Sequence, residues 1–174
     1  MANKVPLSEV ADLRGGYAFK SRDYVDQGRF VLRTVNITES GTITRDRATF
    51  ISESAAKQYE RFELQAQDTL FVMVGATLGK VGFVTEKDLP ALLNQNMWVI
   101  RVKDKNKTNP RFFNYWFSQK VKETLHWASG SARSFVRRDD YRNLPFPVME
   151  VSKQEAIAHI LGTLDDKIEL NRQM

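Results

Sequence analysis

The segment KQEAIAHILGTLDDKIELNRQM, residues 153–174, sets Ile157, Leu161, Leu164 and Ile168 at spacings of four, three and four, with Gly162 as its only breaker residue. Alternating fours and threes are the seam of a coiled coil, because they return each apolar side chain to one face of a helix. Gln154 and Asn171 take the next seam positions on either side, and Ile160 widens the stripe. The pattern predicts a terminal helix over 151–174 whose apolar face has nothing left in the sequence to cover it. Such a helix is built to dock onto something, and residues 1–150 are read as one domain ahead of it.

Upstream, RNLPFPVMEV (142–151) carries Pro145 and Pro147. Proline cannot extend a helix and restricts the residue before it, so this stretch is read as an extended connector. Before a polar loop around Gly130 lies a second helical pattern opened by Asn109 and Pro110, an N-cap followed by proline where its missing amide is no loss. Phe113, Phe117, Val121 and Leu125 repeat every four residues from there, with Phe112 and Trp116 adjoining. An aromatic stripe at helical spacing is core, so one face of this helix packs on a sheet.

The first hundred residues supply that sheet. FVLRTVNI (30–37), ATFIS (48–52), DTLFVMVG (68–75), KVGFVT (80–85) and MWVIRV (97–102) are β-branched or aromatic runs bounded by turn residues, and each is read as a strand. Ser52 suits the cap of a short helix through SESAAKQYER. The fold class expected is mixed α/β: a β-rich domain with packed helices, followed by a coiled-coil-forming helix.

A chain of 174 residues with 42% hydrophobic content can bury a full core without staples. It contains no cysteine, which removes disulfides, thiolate zinc sites and a cysteine nucleophile, and suits a cytoplasmic protein. No stretch approaches the roughly 20 apolar residues of a membrane span. The net charge of +5 is modest, so its placement matters more than its size. Arg101, Lys103, Lys105 and Lys107 stand against Asp104 alone, and Arg133, Arg137, Arg138 and Arg142 gather with Asp139 and Asp140. Two basic clusters flanking an aromatic helix point to a polyanion surface.

Enzyme signatures fail on inspection. GATLGKVG (75–82) has three residues where a phosphate-binding P-loop needs four, and Val81 stands where that loop needs Ser or Thr. A tight turn between strands accounts better for its glycines. Thr108 to Phe112 partly resembles the Asn-Pro-Pro-aromatic loop of adenine methyltransferases, but Arg111 replaces the second proline and no glycine-rich cofactor loop precedes it. His126 and His159 lie on different predicted helices without carboxylates at metal-ligand spacing. The run Leu164 to Lys167 falls on the seam helix, where alternating charges serve as solvated flanks.

The order of motifs carries more than any one of them. LRGGYAF (13–19), FVLRTVNI, the hairpin DTLFVMVGATLGKVGFV (68–84), NQNMWVIRV (94–102), SGSARSFVRRDDYRNLPFPV (129–148) and the terminal helix follow one another as they do in the specificity subunit of type I restriction-modification systems. The chain resembles that family over nearly its whole length. The resemblance implies a target recognition domain reading several base pairs of duplex DNA, then a helix that spaces it and binds the modification (methyltransferase) subunit. It implies no catalysis and no cofactor here: S-adenosylmethionine belongs to the modification subunit, and ATP and Mg to a restriction subunit. The family's usual plan has two recognition domains and two helices per chain, whereas this sequence has one of each. Two copies pairing their helices antiparallel, a homodimer, would present identical domains to an inverted, interrupted target; a natural half-subunit and a piece of a longer one both suit the sequence.

Reading DNA asks for amides and guanidinium groups at base edges, and for hydroxyls, lysines and backbone amides at phosphates. The candidates are Tyr17 and Lys20 after the double glycine, Arg33 and Asn36 at a strand end, Thr77 and Lys80 in the glycine hairpin, Asn94, Gln95 and Asn96 before Met97, and Arg133, Ser134, Arg137 and Arg138 in the serine-glycine loop. Three consecutive amides are poor strand formers, which singles out Asn94 to Asn96. Asn36 and Asn96 equally suit turn caps, Arg33 a sheet carboxylate, and Tyr17 the core. A rival reading, a protein-binding adaptor or inhibitor that uses the terminal helix, treats the basic loops as incidental.

Overall fold

Short apolar runs separated by turn residues fold here as brief strands, because each run is long enough to cross a sheet but too short for a helix. The computed structural model describes residues 3–125 and 137–173. Its elements in chain order are β1 (Lys4–Pro6), α1 (Leu7–Val10), β2 (Ala11–Gly15), β3 (Tyr24–Val25), β4 (Arg29–Leu32), β5 (Phe50–Ile51), α2 (Glu53–Ala56), β6 (Thr69–Val72), β7 (Val81–Phe83), β8 (Ala91–Leu93), β9 (Met97–Val102), α3 (Pro110–Thr124), α4 (Arg138–Arg142), β10 (Pro145–Pro147) and α5 (Val151–Gln173). One antiparallel sheet has the order β2-β9-β6-β7, a second the order β3-β5-β4-β8 with β4 and β8 parallel, and β1 pairs with β10. The expected mixed α/β fold, β-rich and closed by a long helix, is the fold found.

The first sheet is buried on both faces, and the period-two alternation of its central strands shows how. Leu70, Val72, Met97 and Val99 face a core shared with Phe30, Leu32, Ala91 and Leu93 of the second sheet. Their alternates Phe71, Trp98 and Ile100 face α3 and α4. On that side the Phe117 ring meets Phe71 edge-on at 5.5 Å, and Tyr141 of α4 stacks at a tilt against Phe71 at 4.9 Å. Truncating a ring in such a cluster costs about 3–5 kcal/mol. The aromatic helix begins as expected: Pro110 opens α3 and Asn109 Oδ1 accepts from the Phe112 amide at 2.9 Å.

Several local expectations are corrected. The strand over 30–37 stops at Leu32, and residues 34–36 form a 3-10 turn, because the Asn36 side chain accepts from the Arg33 amide at 3.0 Å and bends the backbone away from the ladder. The helix begun by Ser52, whose hydroxyl accepts from the Ala55 amide at 3.3 Å, is one α turn followed by a 3-10 stretch over 57–62. The proline segment is a paired strand as well as a connector, with Lys4 opposite Pro147 and Pro6 opposite Pro145.

Residues 151–173 form the terminal helix, but Gln154 does not continue its seam. It is buried, its Oε1 accepting from the Asn109 amide at 2.9 Å and its Nε2 donating to the carbonyls of Lys107 and Met149 at 3.0 Å each. A long amide side chain placed beside three backbone groups, two just before α3 and one just before α5, satisfies them in a way a seam position would not. Ile157, Ile160, Leu164 and Ile168 are exposed on α5, and Leu161 is half-buried. No described helix is long and apolar enough to cross a membrane.

Candidate nucleic-acid interface

At one edge of the first sheet β2 and β6 end while β9 and β7 begin, with Gly15 opposite Trp98 and Val72 opposite Met97. In the second sheet the parallel strands β4 and β8 end together at Leu32 and Leu93. Backbone hydrogen bonds join the two edges: Asn94 donates to Leu32 at 3.0 Å, Tyr17 to Leu93 at 2.9 Å, Gln95 to the Tyr17 carbonyl at 2.8 Å, and Met73 to Asn96 at 3.0 Å. Segments from four separate parts of the sequence therefore meet at one surface.

Tyr17, Arg33, Asn94, Gln95 and Asn96 are brought together there, and Lys20 is exposed on the same segment as Tyr17. Arg138 joins them: its guanidinium lies 6.0 Å from the Trp98 ring centre, and its Nη2 is 3.4 Å from where a Cβ on Gly15 would stand. Arg137 precedes it and is exposed. Gln95 and Asn96 are exposed, and Asn96 has φ of 71°, a left-handed turn conformation that asparagine tolerates. Arg133, Ser134 and His126 lie outside the described residues.

Several candidates, at this surface or away from it, are engaged with other groups of the fold. Asn36 is fully buried, its amide donating to the Asp46 carbonyl at 3.0 Å while its oxygen caps the 3-10 turn, so it has no free edge for a base. Arg33 Nη2 donates to the Arg47 carbonyl at 2.6 Å, which brings the exposed Arg47 to this surface as well. Sequence offered only an Arg-Asp-Arg run as a hint of it. Tyr17 is half-buried, its ring 4.6 Å from Tyr59 and 5.2 Å from Phe62. A hydrogen bond to Tyr17, with burial second, raises the Tyr59 phenol above its ordinary value. Thr77 is half-buried in the β6–β7 hairpin. At the foot of that hairpin Lys80 Nζ lies 2.6 Å from Glu39 Oε1; Glu39 is 85% exposed, so the pair is cheap to exchange.

The two basic clusters do not form one surface. Arg101 lies toward the far end of β9, its Nε and Nη2 each 2.7 Å from an oxygen of the buried Asp68. Lys103 pairs with Asp12 and Lys107 with Asp104. Only the cluster at Arg137 and Arg138 shares the edge of Asn94 to Asn96. Among the described residues no group of three acids or histidines stands close enough to hold a metal ion.

The terminal helix also carries a contact that the sequence did not reveal. Asp165, read as a solvated flank, accepts at Oδ2 from Tyr115 Oη at 2.6 Å and from Arg111 Nη2 at 3.1 Å, and Arg111 Nε donates to Tyr115 Oη at 3.1 Å. Burial first, and the bond to Asp165 second, push the Tyr115 phenol up to about 12, which keeps it a donor.

The family model of the type I restriction modification DNA specificity domain matches residues 2–174. The chain belongs to that family. As a specificity domain it is 25% identical to the type I restriction enzyme MjaVIII specificity subunit of Methanocaldococcus jannaschii, over 97% of this chain and 40% of that protein. The fold is similar to that of the type I restriction-modification S subunit from M. genitalium, with a TM-score of 0.69 at 17% identity, over 99% of this chain and 43% of the other. It is similar also to the HsdS subunit from Thermoanaerobacter tengcongensis, with a TM-score of 0.70 at 17% identity over 98% of this chain and 39% of that one. The specificity domain described here thus spans about 40% of the length of these relatives.

Proposed function

We propose that this chain is a DNA sequence-specificity unit of a type I restriction-modification enzyme, reading one half-site of an interrupted duplex target and docking through α5. The observation that carries the reading is the convergence, at one sheet edge, of the exposed amides of Gln95 and Asn96 with Arg33, Arg47, Arg137 and Arg138, in a chain of the DNA specificity family. Amides hydrogen-bond base edges and guanidinium groups take guanine or phosphate, while the sheet holds them in register. The exposed stripe Ile157, Ile160, Leu164 and Ile168 supports a docking role for α5. Its occupants in this reading are the modification subunit and a second helix of the same kind, from another copy or from a longer chain. Catalysis, S-adenosylmethionine, ATP and Mg reside in partner subunits, a restriction subunit among them where one is present, and the assembly works in the cytoplasm.

The deciding experiment is selection from a random duplex pool by the chain alone and by the chain co-expressed with its modification subunit. Enrichment of a short motif, in one or two inverted copies, is the expected result. Retention without enrichment leaves phosphate gripping only, and no retention even with the partner hands the lead to a protein-binding adaptor.

A further inference from the structure

The terminal helix is held to the domain on a face of its own. Gln154, Ala158, Gly162 and Asp165 follow at spacings of four, four and three; Gln154 and Ala158 are buried, and Gly162 lies beside the Tyr115 hydroxyl, 3.8 Å from where its Cβ would stand. At 100° per residue this face lies about 110°, nearly a third of a turn, from the exposed apolar stripe. A partner helix can therefore occupy the stripe while the domain keeps its grip. Two polar fixing points stand along this grip, Gln154 at the root and Asp165 eleven residues on, about 16 Å apart along the axis. Beyond Gly162 a groove of about 890 Å³ opens between α5, α3 and residues 39–43, so the outer half of the helix runs beside a groove rather than over a closely packed core.

A rod fixed at one point pivots, and a second fixing point sets its direction. We propose that the contact of Arg111 and Tyr115 with Asp165 is a positioning device that sets the angle at which α5 leaves the recognition domain, and thereby the number of base pairs between the two half-sites of the target. The inference rests on the reading above, in which α5 joins this domain to a second one. Its sensitivity follows from lengths: the 23 residues of α5 span about 34 Å, so a tilt of about 6° moves the far end by about 3.4 Å, one base-pair step. Arg111 and Tyr115 are positioning residues here, four apart on α3. The guanidinium of Arg111 is itself held between the rings of Phe83 and Tyr115, at 4.6 and 4.8 Å, which ties the clasp back to β7.

The test is the random-duplex selection with the modification-subunit complex, reading spacer length separately from half-site sequence. Asp165→Ala should keep the half-site and shift or broaden the spacer by one base pair or more, while Asp165→Asn, which still accepts from Tyr115, should stay closer to the parent. A parent-like sharp spacer in Asp165→Ala overturns the inference and leaves the functional reading intact; a parent that enriches no motif overturns both. Loss of half-site enrichment by a folded Asp165→Ala also overturns it, because positioning alone would spare base reading. A second measurement needs neither DNA nor partner. The chain has no native cysteine, so spin labels at Lys57→Cys and Lys167→Cys report the helix angle directly. Asp165→Ala should widen or move their distance distribution, and an unchanged distribution rules the clasp out.

Discussion

The carbonyl oxygen of Asn94 lies 2.0 Å from the position a Cβ would take on Gly16. The two backbones are pressed together at the point where the edges of both sheets meet, and Gly16 donates to the Met97 carbonyl at 3.2 Å across the same junction. A side chain there must push the amide turn outward. Gly16→Ala is therefore expected to cost about 1–3 kcal/mol in urea unfolding and to lower DNA retention, because it moves Asn94 to Asn96.

The Asp68–Arg101 pair predicts a larger loss of stability with no direct role at the interface. Asp68 is 1% exposed and also accepts from the Gln65 amide at 2.7 Å. Asp68→Ala leaves Arg101 without its bidentate partner and should destabilise by about 3–5 kcal/mol. Asp68→Asn, which keeps the acceptor, should lose less; equal melting curves for the parent and Asp68→Ala would contradict the pairing.

Arg137 and Arg138 sit at the edge and are predicted to act on phosphate. Arg137→Ala with Arg138→Ala should weaken binding across sequences and lower the slope of log affinity against log salt by about one to two units. Fluorescence anisotropy over a salt series measures this, and parallel slopes would remove both side chains from the phosphate contacts.

Leu164 and Ile168 are 50% and 49% exposed, so replacing them leaves the core alone. Leu164→Asp with Ile168→Asp should change unfolding free energy by less than about 1 kcal/mol while abolishing association through α5. Light scattering of the chain alone and with its modification subunit reads the result directly.

Tyr115 gives a pH signature. Its phenol is raised from 10.0 to about 12 in the folded state, so folding favours the protonated form. That contribution is complete below about pH 10 and is lost as the pH rises toward 12. Tyr59 and Tyr141 are raised too, so the informative quantity is the difference between the parent and Tyr115→Phe. The gap in stability should narrow across this alkaline window, and a constant gap would dissociate the hydroxyl from the clasp.

How much was legible differs by element. The start of α3 was, because Asn109 and Pro110 act on the amides next to them. The stripe of Phe113, Phe117 and Val121 was too, since helical spacing alone puts these residues on one face. The end of β4 was not: Arg33 to Ile37 have the composition of a strand, yet one hydrogen bond accepted by the Asn36 side chain from the Arg33 amide turns the chain, and that bond holds because Asp46, ten residues on, takes the other end of the amide. Asn36 was for the same reason misplaced among the base-reading candidates.

By itself the sequence determined the runs that become β6, β7 and β9, the capping of α2 and α3, and the apolar stripe of α5, because these depend on neighbours within a turn or two of chain. Only the tertiary structure decided that Tyr17, Arg33, Asn94 to Asn96 and Arg138 share one edge while Arg101 lies toward the other end of its strand. It alone turned Gln154 and Asp165 from seam and solvent positions into fixing points of a helix. The physical reason is that strand order and helix docking are set by contacts between residues far apart in sequence, from 25 positions for Val72 and Met97 to 143 for Lys4 and Pro147, whose closure no local pattern encodes.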